Sequence, residues 1–127
     1  MEDQYEKIQL VREILEQDLS KNYRIPDLAR EVGTNVQYLK VYFKQYVGQT
    51  VMHYATEQKM EYARELILSG NYRIVDVARM TGYRHATHFT AAFKKYYGFI
   101  PNVLKEGGVP PYLAVKHSDW EIVFASW

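Results

Sequence analysis

Residues 25 to 50 read IPDLAREVGTNVQYLKVYFKQYVGQT, and residues 74 to 100 read IVDVARMTGYRHATHFTAAFKKYYGFI. The second stretch repeats the first at an offset of 49 positions, with one extra residue after its first glycine. The matching pairs are Ile25/Ile74, Asp27/Asp76, Ala29/Ala78, Arg30/Arg79, Gly33/Gly82, Phe43/Phe93, Lys44/Lys94, Tyr46/Tyr96 and Gly48/Gly98. A run of matches in the same order indicates a duplicated structural unit.

Each copy has the pattern of two helices joined by a tight turn. In the first copy, Gly33 predicts the end of one helix, because glycine adopts the positive φ of a helix exit without steric cost. Thr34 and Asn35 then suit the cap of the next helix. Apolar residues at helical spacing predict the buried face of that helix: Leu39, Phe43 and Val47 in the first copy, and Phe89, Phe93 and Tyr97 in the second. The sequence therefore predicts a helix-turn-helix in each copy.

The segment between the copies, VMHYATEQKMEYARELIL, contains neither glycine nor proline. Thr50 suits the start of a helix and Gly70 its end, so the segment is predicted to form one continuous helix. At ~1.5 Å per residue this helix would be roughly 27 Å long.

The two ends of the chain differ in character. Residues 4 to 19 are predicted to form an amphipathic helix with Tyr5, Ile8, Val11, Leu15 and Leu19 facing inward. Pro101 suits the start of a short last helix that ends near Lys105. The following segment, residues 107–127, suits either a short β-hairpin or an irregular tail. It packs on the domain, pairs with a partner or is disordered, since an isolated hairpin is barely stable in water.

These patterns predict an all-α fold of about seven helices, in which two helix-turn-helix subdomains are joined by a long linker helix. The expected boundaries are residues 1–49 for the first subdomain, 50–70 for the linker and 71–106 for the second subdomain. The remaining residues, 107–127, form a tail to which the sequence assigns no role.

Composition excludes several classes of protein. With 127 residues, 47% hydrophobic and 15% aromatic, the chain can bury a core as one compact domain or two small ones, which argues against disorder. It contains no cysteine, which excludes disulfides and thiolate zinc sites and favours an intracellular setting. The acidic start lacks the features of a signal peptide, and no apolar run approaches the ~18 residues of a membrane span. The expected location is the cytoplasm.

The net charge is only +1, but the charges are unevenly distributed. Residues 1–20 carry six acidic and two basic side chains, whereas residues 71–106 carry six basic and two acidic ones. This asymmetry is expected of a protein in which one face meets phosphates and another meets a different partner.

The motifs resemble those of the AraC/XylS family of bacterial transcription regulators, over about residues 5 to 105. The first family signature is matched by Leu28-Ala29, Gly33, Tyr38-Leu39, Phe43-Lys44 and Gly48. The spacer is matched by Lys59-Met60, Ala63 and Leu66-Ile67, and the second signature by Val77-Ala78, Gly82-Tyr83, Phe89, Phe93-Lys94, Gly98 and Pro101. Lys59 stands where the family usually has arginine, and Ile100 where serine or threonine is common. Many members carry a further domain on the amino side, so the chain is expected to be either a stand-alone regulator or a fragment.

The resemblance implies that the partner is double-stranded DNA and that the second helix of each copy enters the major groove. One turn of B-DNA is ~34 Å, so the linker helix suits two reading helices in successive groove segments. The base-reading candidates of the first copy are expected to be exposed opposite Leu39 and Phe43, and they are Val36, Gln37, Lys40 and Val41. Those of the second copy are Arg84, Ala86, Thr87, Thr90 and Ala91. The phosphate-contact candidates are Asn35, Lys44, His85, His88, Lys94 and Lys95. The alternative for both sets is a solvated face without DNA contact.

Gln37 suits a bidentate bond to adenine, and Lys40 suits guanine or phosphate. In the second copy, alanine and threonine can touch thymine methyls but have little hydrogen-bonding power. That copy is therefore expected to read more weakly, or chiefly to hold the DNA backbone.

The sequence contains no nucleophile motif, phosphate-binding glycine loop or paired carboxylates, so no enzyme activity and no cofactor are predicted. His85 and His88 stand three apart on the predicted helix, as two metal ligands can, but no third ligand is evident, so contact with phosphate or solvent is favoured over metal. The rival function is a protein-interaction module that no longer reads DNA and docks to RNA polymerase or another partner through its acidic first helix. RNA polymerase is also a candidate partner of a DNA-bound regulator.

Overall fold

The computed structural model describes residues 4–105, and over this range the chain forms seven helices and no strand. The helices are α1 (Gln4–Gln17), α2 (Ile25–Glu31), α3 (Val36–Val47), α4 (Val51–Ser69), α5 (Ile74–Met80), α6 (Ala86–Tyr97) and α7 (Pro101–Lys105). The predicted all-α fold with two helix-turn-helix pairs is confirmed. The tail, with its hairpin alternative, lies outside the described residues.

The described residues form two compact units. The boundary between them along the chain falls between Lys59 and Met60, inside α4. In the first unit, α1, α2, α3 and the start of α4 surround one apolar core. Its buried residues are Ile8, Val11, Leu15, Leu28, Ala29, Val32, Leu39, Phe43, Val51 and Tyr54. The apolar stripes predicted on α1 and α3 thus supply most of this core, with Val47 half-buried at its edge.

The predicted inward face of the first helix is wrong at both ends. Tyr5 is 52% exposed, and Leu19 lies beyond the last residue of α1, Gln17. The helix stops early because Asp18 forms a local turn: its carboxylate accepts hydrogen bonds from the backbone N–H and the hydroxyl of Ser20, at 3.0 and 2.6 Å.

The connection between α1 and α2 is held to α4 by a buried lysine. The Lys59 ammonium donates to the backbone carbonyls of Leu19 and Lys21, at 2.7 and 2.8 Å. Burial lowers the pKa of Lys59 below its usual 10.5. Two backbone carbonyls of the loop thus share one charged donor, and the loop is fixed where it leaves α1.

The second unit has a separate core built from the rest of α4 with α5, α6 and α7. Its buried residues are Met60, Ala63, Leu66, Ile67, Val77, Ala78, Phe89, Phe93, Tyr97 and Leu104. Phe89 and Phe93 are fully buried, with ring centroids 5.8 Å apart, and the Phe93 and Tyr97 rings are 4.7 Å apart. The aromatic stripe predicted on α6 is therefore the centre of this core.

The predicted continuous linker helix is confirmed as α4. Its start is capped by Thr50, whose hydroxyl accepts a hydrogen bond of 3.1 Å from the backbone N–H of His53. It ends before Gly70, which has a φ of 75°. Within residues 4–105, none of the helices combines the length and apolar character that crossing a membrane requires.

Candidate nucleic-acid interface

The turns of the two helix pairs share one hydrogen-bonding pattern. The backbone N–H of Thr34 donates to the carbonyl of Ala29 at 2.8 Å, and that of Tyr83 donates to Ala78 at 2.9 Å. These bonds close a helix end of the Schellman type, with Gly33 or Gly82 in the left-handed conformation. The duplication inferred from the sequence thus extends to the geometry of the turn.

The extra residue of the second copy can be located from these turns. Thr34 and Tyr83 occupy the same place, and the next helix begins after the cap residue Asn35 in the first unit and His85 in the second. Arg84, between Tyr83 and His85, is therefore the insertion. It is exposed, so the longer turn adds a cation beside the amino end of α6.

The first unit presents the predicted polar face on α3. Gln37, Lys40 and Val41 are exposed, while Leu39 and Phe43 hold the opposite side of the helix in the core. Val36 is half-buried and packs against that core, so the prediction that its side chain is exposed is wrong. It lies three residues before the buried Leu39, which places it at the edge of the same face.

The second unit presents a face of smaller side chains on α6. Thr87 and Ala91 are exposed, and Thr90 is half-buried. Ala86 is half-buried and packs against the core, three residues before Phe89, so its assignment to the exposed face is wrong in the same way as that of Val36.

The predicted phosphate-contact lysines stand where the two helices end. Lys44 lies in the last turn of α3, and Lys94 and Lys95 lie in the last turn of α6; all three are exposed. Asn35 caps α3, because its side-chain oxygen accepts a hydrogen bond of 2.9 Å from the backbone N–H of Tyr38. Its amide nitrogen is the part of the side chain suited to an anion.

The histidine pair is placed differently from the prediction. His85 is the cap residue before α6 rather than a residue of the helix, whereas His88 lies within its first turn. Both are exposed, and their rings meet edge to face with centroids 5.3 Å apart. Among residues 4–105, no group of three or more histidine or carboxylate side chains is arranged to hold a metal ion.

The charge of the two helices is a signal that the sequence reasoning missed. Neither α3 nor α6 contains an aspartate or a glutamate, while each contains two lysines. The net charge of +1 for the whole chain conceals this local excess. Two helices of purely basic charge, each with one exposed face, can meet the polyanionic surface of a nucleic acid.

A row of tyrosines beside the polar face of α3 was also missed. Tyr38 and Tyr42 stack with centroids 5.7 Å apart, and Tyr42 and Tyr46 stack at 6.2 Å. Tyr5 of α1 meets the edge of Tyr46 at 5.5 Å. Tyr38 is 53% exposed, and the spacing of four residues along α3 was a signal that the sequence offered. We call these four residues the tyrosine row.

Comparison with known proteins gives concordant matches. A family model described as a helix-turn-helix domain matches residues 28–107. The chain is similar to the HTH-type transcriptional regulator ExsA of Pseudomonas aeruginosa, with 26% identity over 102 residues that make up 80% of this chain and 36% of that protein. The chain thus spans about a third of the length of this relative and of two Yersinia proteins that it also matches.

Two solved structures share the fold. The C-terminal domain of AraT, a response regulator from Geobacillus stearothermophilus, superposes with a TM-score of 0.76 at 28% identity, covering 80% of this chain and 84% of that one. A transcriptional regulator of Chromobacterium violaceum, described as containing an AraC-type DNA-binding domain, superposes with a TM-score of 0.74 at 22% identity, covering 84% and 96% of the two chains.

Proposed function

The chain belongs to the AraC-type family of helix-turn-helix domains, and on that premise we propose that it is a sequence-specific DNA-binding transcription regulator. In this proposal α3 and α6 each enter the major groove, in successive segments of one promoter. The function is binding without catalysis. Because its DNA partner would be a bacterial promoter, the protein would work in the cytoplasm.

One observation carries this proposal. The helix that follows the turn is, in both units, amphipathic and without acidic residues, and its exposed face is bordered by lysines. A helix placed in the major groove needs this combination, since its exposed side chains meet base edges while its cations meet phosphates. A duplicated scaffold kept only for its core would not require the same charge pattern on both exposed faces.

The roles of individual residues follow from their positions. On α3, Gln37 can form two hydrogen bonds with adenine, and Lys40 can bond guanine or a phosphate. In the second unit, Thr87, Thr90 and Ala91 of α6 face the groove, together with Arg84 of the preceding turn. Asn35, Lys44, His85, His88, Lys94 and Lys95 border the two faces as phosphate contacts. Val36 and Ala86 are left at the edges of these faces because each packs partly into its core.

The test is selection of bound DNA by the purified chain from a randomised duplex library at near-physiological salt. The expected result is an enriched bipartite motif with half-sites about one helical turn, ~34 Å, apart. A matched selection with Gln37→Ala should lose preference in one half-site and keep the other. Retention of DNA without any enriched motif, or no retention, would contradict sequence-specific reading.

A second candidate function is a protein-interaction module that docks to RNA polymerase or to another protein. Two observations favour it: the tyrosine row, which is exposed except at Tyr42, and the exposed acidic residues Glu6, Glu13 and Glu16 of α1. Aromatic residues are enriched in protein interfaces. Changing Tyr38 and Tyr46 to serine would separate the two candidates, because an interaction module would lose its partner while a DNA reader would keep its selected motif.

A further inference from the structure

The duplication allows the two reading faces to be compared position by position. Because the cap residues Asn35 and His85 correspond, each residue of α3 matches the residue of α6 that lies 50 positions later. The buried residues agree in this alignment, with Leu39 matched by Phe89 and Phe43 by Phe93. The register of the two helices is therefore fixed by their cores.

The positions on the proposed reading faces differ in a consistent way: the residues of α6 are shorter than those of α3. Gln37 is matched by Thr87, Lys40 by Thr90 and Val41 by Ala91. At two of the three positions a long side chain with several hydrogen-bonding groups is replaced by a short one, and all three residues of α6 present a methyl group. Neither threonine nor alanine can form the bidentate bonds with which glutamine, asparagine and arginine select a base.

Thr87, Thr90 and Ala91 also form one continuous patch. They are spaced by three and four residues, so their side chains are neighbours on the helix surface. Arg84 stands just before the helix and Lys94 in its last turn, both exposed. The methyl-bearing patch thus lies in the middle of α6, with a cation beyond each end.

We propose that the second unit recognises the 5-methyl groups of pyrimidines, and that thymine supplies them. This inference rests on the proposed function and specifies the ligand chemistry of α6. In the major groove, the 5-methyl of thymine is the one apolar group that distinguishes a base pair, and alanine and threonine methyls contact it. Short side chains also let the helix approach the bases closely, while Lys94 meets a phosphate beyond one end of the patch.

The DNA arm of the test uses the bipartite site selected by the full chain. The Gln37→Ala selection identifies the half-site of α3, and the other half-site is then assigned to α6. Replacing thymine by uracil there removes only a methyl group, and the expected loss of affinity is about fourfold for each contacted methyl, the equivalent of one buried CH₂-sized group. The control is the same replacement of thymine by uracil in the α3 half-site, at any position other than the one opposite Val41.

A second source of the same methyl group is 5-methylcytosine. Replacing the critical thymine–adenine pair by a cytosine–guanine pair should reduce binding, and methylating that cytosine should restore about fourfold. Recovery of the full affinity of the thymine site would instead assign the recognition to any 5-methylpyrimidine, and would overturn the choice of thymine as the source.

The protein arm compares two substitutions of one exposed residue. Thr87→Val keeps the methyl group and replaces the hydroxyl by a second methyl, whereas Thr87→Ser keeps the hydroxyl and removes the methyl. Methyl recognition predicts normal binding by the valine variant and about fourfold weaker binding by the serine variant, with no further loss when the serine variant meets the uracil site. Circular dichroism melting of both variants verifies that they are folded.

The possible results distinguish a failure of methyl recognition from a failure of the proposed function. Bipartite binding that is indifferent to uracil, or that is lost with Thr87→Val and kept with Thr87→Ser, overturns methyl recognition and leaves the proposed function standing. Failure of the unchanged chain to select any DNA motif overturns the proposed function itself. Uracil-sensitive binding that Thr87→Ser also weakens supports both.

Discussion

The Tyr97 hydroxyl donates a hydrogen bond of 3.1 Å to the backbone carbonyl of Met60, within the core of the second unit. Tyr97 is 1% exposed and closes α6, while Met60 lies in α4. The bond gives a buried hydroxyl an acceptor, and it ties the carboxyl end of α6 to α4.

Tyr97→Phe should therefore destabilise the chain by about 1 kcal/mol, since the ring still fills its site while one buried hydrogen bond is lost. Urea unfolding followed by far-ultraviolet circular dichroism measures this change. Tyr72→Phe, which alters an exposed hydroxyl, is the control and should leave the midpoint unchanged. Equal midpoints for both variants would show that the bond contributes nothing to stability.

Lys59→Met should be more damaging, with a loss of about 1.5–3 kcal/mol, because two backbone carbonyls lose a charged donor while the apolar stem is preserved. Lys59→Arg retains donors that can reach both carbonyls and should cost less than half as much. Unfolding curves of the unchanged chain, Lys59→Met and Lys59→Arg measure the two losses of stability. If methionine and arginine are equally tolerated, the two hydrogen bonds do not hold the loop between α1 and α2.

The loss of folding stability at acidic pH should depend on Asp76. The hydrogen bond from the Arg73 guanidinium, 3.0 Å long, lowers the pKa of Asp76 below its ordinary value of 3.8. A carboxyl group whose pKa is lowered in the folded state binds protons less readily there than in the unfolded state. Its contribution is therefore fully present above pH 3.8 and is lost as the pH falls through the folded value.

The Asp76→Asn variant should accordingly melt at a lower temperature than the unchanged chain at neutral pH, and the difference should shrink as the pH falls below 3.8. Thermal melts across this range measure the effect, with Glu31→Gln, an exposed substitution, as control. A difference that stays constant with pH would mean that the charge of Asp76 plays no part.

Gln37→Ala should relax base preference at a single position of the selected site, at a cost of ~1–3 kcal/mol on the preferred base. Binding of the purified variant to the four duplexes that differ at that position provides the measurement. Gln45→Ala, an exposed change nearer the end of α3, is the matched control. Equal losses on all four duplexes would identify Gln37 as a contact to the DNA backbone.

DNA affinity should fall steeply as salt concentration rises, because each lysine that neutralises a phosphate releases a counterion. Lys44→Gln and Lys94→Gln should each reduce the slope of log affinity against log salt by about 0.9. Lys21→Gln, in the loop after α1, should not change it. Binding that is indifferent to salt would show that the exposed lysines of α3 and α6 do not contact phosphates.

Much of the fold was predictable because its signals are local. Gly33 marks a positive-φ helix end that few other residues tolerate, and Asn35 caps α3 with a bond to the third residue along, Tyr38. The spacing of Phe89 and Phe93 correctly separated core from surface on α6. Such rules operate over one or two helical turns, so the sequence contains them directly.

The wrong or missing predictions concern residues whose exposure or contacts depend on distant parts of the chain. Val36 and Ala86 lie at the border of their buried faces, and only the packing around each core determines their exposure. Lys59 appeared in the sequence as a departure from a family pattern, yet its role depends on carbonyls about 40 residues earlier, which spacing within one helix cannot reveal. The local charge of α3 and α6, by contrast, could have been counted from the sequence.

The boundary between Lys59 and Met60 has a consequence for how such a protein can change. Lys59 bonds to the loop of the first unit, while the carbonyl of the adjacent Met60 accepts the bond from Tyr97 in the second. A crossover between two related genes at this peptide bond would deliver each core intact. Recombination within a single helix could then pair one ancestral half with another. If each unit reads one half-site, as proposed, new two-part target preferences would arise without any point mutation.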